Sequence, residues 1–110
     1  MNEFISFEEF QKMDLRIGKI VSSERVPGTT RLIRLEVDLG AEKRQLIAGI
    51  GEEYKPEGLL GLEIVVLVNL KPKKIRGLIS EGMLLAAVLE GNKPVLIVPD
   101  KEVPPGTPVR

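Results

Sequence analysis

Apolar and polar residues alternate most cleanly between Arg31 and Leu39, where Ile33, Leu35, Val37 and Leu39 interleave with Arg34, Glu36 and Asp38. A period of two puts one set of side chains on each face of a strand, so this stretch predicts a half-buried β-strand. Leu15 to Arg25 reads as the strand before it, with Gly18 as a bulge position, and Pro27-Gly28 marks the turn between them. Gly40 to Lys43 makes a hairpin into a third strand near Arg44 to Ala48. Gly51 to Gly61 breaks the alternation and predicts a helical turn or two interrupted by Pro56. The apolar run Ile64 to Val68 lies in a fourth, buried strand, Glu63 to Asn69. Farther on, Met83 to Leu89 and Pro94 to Val98 flank Glu90-Gly91-Asn92-Lys93 as a second hairpin.

At both ends the period changes. Ser6 and Glu9 stand three apart in a capping-box pattern, which starts a short helix running to about Met13. Phe4, Phe7, Phe10 and Met13 recur every third residue and form one apolar stripe. The closing KEVPPGTPVR carries Pro104, Pro105 and Pro108 and predicts an extended arm that does not donate to a regular ladder. Three strands, a helical excursion and two more strands are the layout of a five-stranded Greek-key barrel, the OB-fold, although periodicity alone equally allows another small barrel. At 110 residues the chain is long enough for one core. The expectation is therefore one all-β domain over 1–110, with a helical extension at 1–13 and an arm at 99–110.

Composition narrows the chemistry. There is no cysteine and no histidine, which removes thiol and Ser–His or Cys–His nucleophiles and the nitrogen and sulfur ligands of zinc. Glu8/Glu9 and Glu52/Glu53 are adjacent pairs that do not share a helix face, and Gly49-Ile50-Gly51 lacks the third glycine of a phosphate loop. No enzyme, cofactor or metal is expected. No apolar run approaches the ~20 residues that span a bilayer, and no export signal is evident, so a cytoplasmic protein is expected.

Charge changes the picture more. Lys and Arg number 16, as do Asp and Glu, so the formal net charge is zero and any affinity for a polyanion must be local. It is concentrated in Asn69 to Met83, NLKPKKIRGLISEGM, where Lys71, Lys73, Lys74 and Arg76 precede any acid until Glu81. A buried strand that hands over to a cationic loop holds positive charge at a fixed place. In an OB-fold this loop joins the last two strands. The loop between the first two, Ser22 to Arg31, carries Arg25 and Arg31, and both loops are expected on one side. Single-strand binders stack bases on aromatic side chains, but this chain has no Trp, only Tyr54, and three Phe confined to the first ten residues. A folded RNA recognised through its backbone and shape fits better, with about four to six phosphate contacts and marked salt sensitivity.

The sequence resembles the tRNA-binding domains related to the C-terminal domain of methionyl-tRNA synthetases, also found in endothelial-monocyte-activating polypeptide and the secretion chaperone CsaA. The matching pieces are DLRIGKI (14–20), LEVDLG (35–40), RQLIAGI (44–50), NLKPKKIRG with SEGMLLAA (69–87), and VPD with VPPGTPVR at the end. The resemblance implies an OB-fold that meets tRNA at the outer corner of the L. It places Asn69, Lys71, Lys74, Arg76, Ser80 and Met83 at the site beside Lys73, with Arg31 nearby. On the residues alone, the favoured readings are that Asn69 ends a strand, Ser80 closes a turn and Met83 sits in the core.

The resemblance further implies a homodimer, for which Phe4, Phe7, Phe10, Met13 and the arm are available; the helix capping its own barrel is the equal alternative. A methionyl-tRNA synthetase is an implied partner, as for a beta subunit acting in trans, and Met1 with its short lead-in points to a free-standing protein. The first rim loop departs from the family pattern: VPGTTRL (26–32) lacks the usual His-Pro and Ala-Asp-Lys-Leu, with Arg31 where the Lys would lie. The competing reading is a CsaA-like peptide-binding chaperone, whose loops carry a Phe and paired prolines before two arginines rather than NLKPKKIRG.

Overall fold

Ile33, Leu35 and Val37 are wholly buried in the computed structural model, which describes residues 3–110, while Glu36 beside them is exposed. They belong to β2 (Ile33–Asp38), which lies between β1 (Leu15–Arg25) and β3 (Lys43–Ala48). A short 3-10 turn (Pro56–Leu59) leads to β4 (Glu63–Leu67). Then come β5 (Lys73–Ile75), β6 (Leu78–Ser80), β7 (Met83–Leu84), β8 (Ala86–Leu89), β9 (Lys93–Leu96) and β10 (Pro108–Val109). The one α-helix among the described residues is α1 (Phe7–Gln11). The expected domain over 1–110 begins with Met1 and Asn2, which lie outside the described residues.

The main sheet runs β3-β2-β1-β4-β7 and is antiparallel throughout. Its two outer strands are drawn together where Glu81 donates its N–H to the carbonyl of Gln45 (2.8 Å) and accepts the N–H of Gln45 on its carboxylate (3.0 Å). The result is a nearly closed five-stranded barrel, the expected OB architecture. Ile20, Ile33, Leu35, Leu46, Leu59, Ile64 and Val66 fill it with almost no exposure. Each such side chain is worth about 1.5–3 kcal/mol of burial. Leu59 comes from the 3-10 turn, where Pro56 occupies the first turn and therefore starts the helix rather than interrupting it.

Several local features differ from the sequence reading. The irregularity in β1 falls between Ile20 and Ser22, leaving Val21 as the extra residue, and Gly18 is regularly paired with Ile64. Gly18 is glycine for packing, because a Cβ there would stand 2.3 Å from Cγ1 of Val37. Met83 to Leu89 is not one strand. β7 stays in the barrel, while β8 pairs with β9 in a separate hairpin.

The arm is extended, yet it does join the sheet. Gly106 donates to the carbonyl of Ile17 (2.7 Å), Ile17 donates to that of Thr107 (2.9 Å), and β10 pairs with Leu15 and Arg16. The prolines are tolerated because the one N–H that donates to Ile17 belongs to Gly106. Glu63, almost buried, anchors the arm by accepting the N–H of Val103 (2.9 Å). Ser6 and Glu9 form the expected capping box on α1, but the helix buries none of its residues. No helix is long and apolar enough to cross a membrane among the described residues.

Candidate nucleic-acid interface

The cationic stretch, read from sequence as a loop, is a β-hairpin. β5 and β6 pair as Lys73↔Ser80, Lys74↔Ile79 and Ile75↔Leu78. Arg76 and Gly77 form the two-residue tip, with φ of 53° and 80°. Both tip residues are left-handed, the geometry of a type I′ turn, whose twist matches the strands it joins. Gly77 takes that conformation freely, whereas Arg76 does so against its Cβ. Alternation then sorts the side chains. Ser80 is buried and Ile75 and Leu78 half-buried, while Lys74 and Ile79 stand opposite each other on the exposed face. Lys71, Lys73, Lys74 and Arg76 are all exposed.

The base of the hairpin is fastened by side chains. Arg44 Nη1 donates to the carbonyl of Val68 and to that of Glu81 (3.3 Å), so one guanidinium joins the two ends of the segment. Its Nε is held by Glu42 (2.9 Å), and that hydrogen bond raises the Arg44 pKa and lowers that of Glu42. Gln45 accepts from Arg34 Nε (2.7 Å) and donates to the carbonyl of Ile79 (2.8 Å). Ser80 Oγ accepts the N–H of Ile47 (3.0 Å) and donates to the carbonyl of Gly82 (3.0 Å). β6 thus lies alongside β3, and Arg31 lies over Gly49, one residue past the end of that strand.

Asn69 fastens a different junction. Its Oδ1 accepts the N–H of Asp14 (2.9 Å) and its Nδ2 donates to the carbonyl of Lys12 (2.6 Å). The entry to the hairpin is therefore clasped to the chain just after α1. Beside it, Arg16 pairs with Asp14 (2.9 Å) and holds that carboxyl below its ordinary value.

These contacts divide the cations into two groups. The ion pairs among the described residues are Arg16–Asp14, Arg34–Glu24 and Arg44–Glu42. Arg25 is also engaged, with the carbonyls of Thr30 and Gly51. Lys71, Lys73, Lys74, Arg76 and Arg31 stand exposed and outside those pairs, as do Lys12, Lys43, Lys55, Lys93, Lys101 and Arg110; what sets the hairpin apart is that it gathers four such cations between 71 and 76. Of the other residues expected at the site, Asn69 is exposed but has both amide atoms occupied, Ser80 is 2% exposed, and Met83 is half-buried in β7 beside Leu67.

Arg44, Gln45 and Glu81 did not stand out in the sequence as fasteners, since Gln45 and Glu81 lie 36 residues apart. Only the chain closing on itself makes them partners. Tyr54, the one aromatic outside the first ten residues, packs against the core and accepts the N–H of Leu96 (3.1 Å). Phe4, Phe7 and Met13 are exposed and Phe10 half-buried. Phe7, Phe10 and Met13 line a groove of about 630 Å³ with Leu15, Pro108 and Val109.

The family model described as "Putative tRNA binding domain" matches residues 15–108. The chain is 52% identical over 108 residues to methionine–tRNA ligase of Thermococcus kodakarensis, an alignment covering 98% of this chain and 14% of the ligase. The chain thus spans about one-seventh of that relative's length. Among solved structures, a MetRS related protein from Pyrococcus horikoshii superimposes with a TM-score of 0.94 at 39% identity, covering 99% of this chain and all of the other. The chaperone CsaA from Bacillus anthracis superimposes with a TM-score of 0.90, also at 39% identity, over 98% of this chain and all of its own.

Proposed function

The chain belongs to the tRNA-binding domain family, and from that premise we propose that it binds folded tRNA through the β5–β6 hairpin, recognising backbone and shape. The observation that carries this reading is the gathering of unpaired cations on one braced hairpin. Arg16, Arg25, Arg34 and Arg44 are committed to carboxylates and carbonyls. Lys71, Lys73, Lys74 and Arg76 project from a braced hairpin whose tip geometry is preset, so little order has to be gained on binding. Arg31, beyond the end of β3, extends the cationic rim.

Asn69 and Ser80 support the site by holding the hairpin, and Met83 through its place in β7 beside Leu67. The absence of aromatic residues from 69–83 disfavours base stacking and favours backbone contact. The whole of 1–110 acts as one non-catalytic binding unit in the cytoplasm, free-standing or in trans for a methionyl-tRNA synthetase. The groove between α1 and β10, with exposed Phe4 and Phe7, is the surface for a second copy. A dimer would present two hairpins to one RNA and raise avidity without new contacts.

The same apolar groove, together with the likeness to CsaA, favours a second reading in which the chain binds extended apolar peptide. Labelled folded tRNA and an unstructured RNA of equal length, titrated across a salt series, separate the two. Preference for the folded RNA with steep salt dependence is expected. Equal binding to both RNAs would refute shape recognition. Binding of apolar peptide in the absence of any RNA binding would favour the second reading.

A further inference from the structure

Gly49, one residue past β3, is a glycine without a conformational reason, since its φ is not among the positive ones. What stands over it is Arg31. A Cβ at Gly49 would lie 3.0 Å from Nε, 3.2 Å from Cζ and 3.2 Å from Nη2 of that side chain. Near-equal distances to three atoms of one planar group mean that the guanidinium lies across the glycine rather than pointing at it.

The platform beneath is rigid. Gly51 donates its N–H to the carbonyl of Arg31 (2.7 Å), and Arg25 Nη1 binds the carbonyls of Thr30 and of Gly51 (2.9 Å). Gly51 itself has no room for a Cβ, with Arg25 Nη1, Thr30 O and Arg31 O all within 2.8 Å of it. The first rim loop and the segment after β3 are thus fastened backbone to backbone. Arg31 rests on that junction with no ion pair among the described residues.

We propose that Gly49 is a positioning residue: a bare backbone shelf that holds the Arg31 guanidinium flat and oriented for an RNA phosphate at the hairpin side of the barrel. Only glycine leaves the peptide surface uncovered; an added methyl would press on the guanidinium and displace it from its present seat by a few tenths of an ångström. Arg31 is otherwise a long, freely rotating cation that must be ordered at the moment of binding. The inference rests on the reading that Arg31 contacts RNA, and the test keeps the two apart.

Compare Gly49→Ala, Arg31→Ala and the double variant for tRNA affinity by fluorescence anisotropy at low salt, with melting curves beside them. Gly49→Ala is expected to weaken binding about two- to tenfold, the cost of immobilising one flexible side chain, with its melting temperature kept because only a side-chain tip has to move. The double variant is expected to bind no worse than Arg31→Ala alone. If Arg31→Ala weakens binding and Gly49→Ala does not, the shelf is overturned and the rim reading stands. An additive double variant also overturns it, because the glycine then acts without Arg31. If Arg31→Ala binds like the unmodified chain, Arg31 leaves the RNA site and the shelf falls with it. Nitrogen relaxation of the arginine side chains in the unmodified protein gives a reading free of any folding defect: Arg31 Nε should be more ordered than Arg76 Nε, and equal mobility refutes the shelf.

Discussion

Neutralising the hairpin tip with Lys74→Ala and Arg76→Ala should change how salt acts on RNA binding, and the size of the change follows from the sorting of cations. Lys71, Lys73, Lys74, Arg76 and Arg31 are the cations outside the ion pairs at the proposed interface. If each neutralises one phosphate, the logarithm of the binding constant should fall against the logarithm of salt with a slope of roughly −3.5 to −4.5, at about 0.7–0.9 per contact. Between 50 and 200 mM salt that is a loss of roughly 100- to 500-fold. The double variant keeps three contacts, so its slope should flatten to roughly −2 to −2.7 and its loss over the same range to about 20- to 40-fold.

The two proteins therefore differ most at low salt and converge as salt rises. Stability should not move, because both side chains are exposed and unpaired, and Ala keeps the Cβ that Arg76 already tolerates at φ 53°. Anisotropy titrations at four or five salt concentrations measure the slopes, and a thermal melt checks the fold. A variant that binds more weakly with an unchanged slope refutes the phosphate-contact reasoning, as does a slope shallower than about −1 in the unmodified protein.

Two further outcomes are expected of the fold itself. Ser23 Oγ is the one buried side-chain polar atom without a hydrogen-bond partner among the described residues; Ser23→Ala should therefore stabilise by about 1 kcal/mol, seen as a melting temperature several degrees higher, and an unchanged or lower value would show that the hydroxyl is satisfied. The Asp14 carboxyl is held below its ordinary value of 3.8 chiefly by its hydrogen bond to Arg16, so its contribution to stability is complete above that pH and is lost as pH falls below it; an NMR titration should place its midpoint below 3.8 and move it back toward that value in Arg16→Gln, and a midpoint at or above 3.8 in the unmodified chain would contradict the pairing.

What was legible in the sequence followed local rules. The alternation over β2, the capping box of Ser6 and Glu9, the apolar run of β4 and the cationic excess at 71–76 each need only a few neighbouring residues to recognise. The stretch reads as a loop rather than a hairpin because a two-residue I′ turn with Arg at its first left-handed position is far from the Asn-Gly pattern that announces one. Gly18 resembled a bulge because sequence cannot show Val37 standing 2.3 Å from its missing Cβ. The roles of Arg44, Gln45 and Glu81 were not visible for the same reason: their partners lie across the closed barrel. The arm's pairing depended on where its few N–H groups fall between prolines, which the count of prolines conceals.

The clasp at Asn69 has a consequence for how the molecule opens. The amide hydrogen of Asp14 is bonded to a side chain 55 residues away, at the doorway of the hairpin. That hydrogen can exchange with solvent only when Asn69 lets go, and the same release frees the carbonyl of Lys12. The stretch after α1 and the entry to the hairpin thus share one clasp, although neither is helix or ladder, and local opening of one is expected to be felt by the other. The exchange rate of a single acidic residue near the start of the chain is thus a gauge of how firmly the doorway to the cationic hairpin is closed.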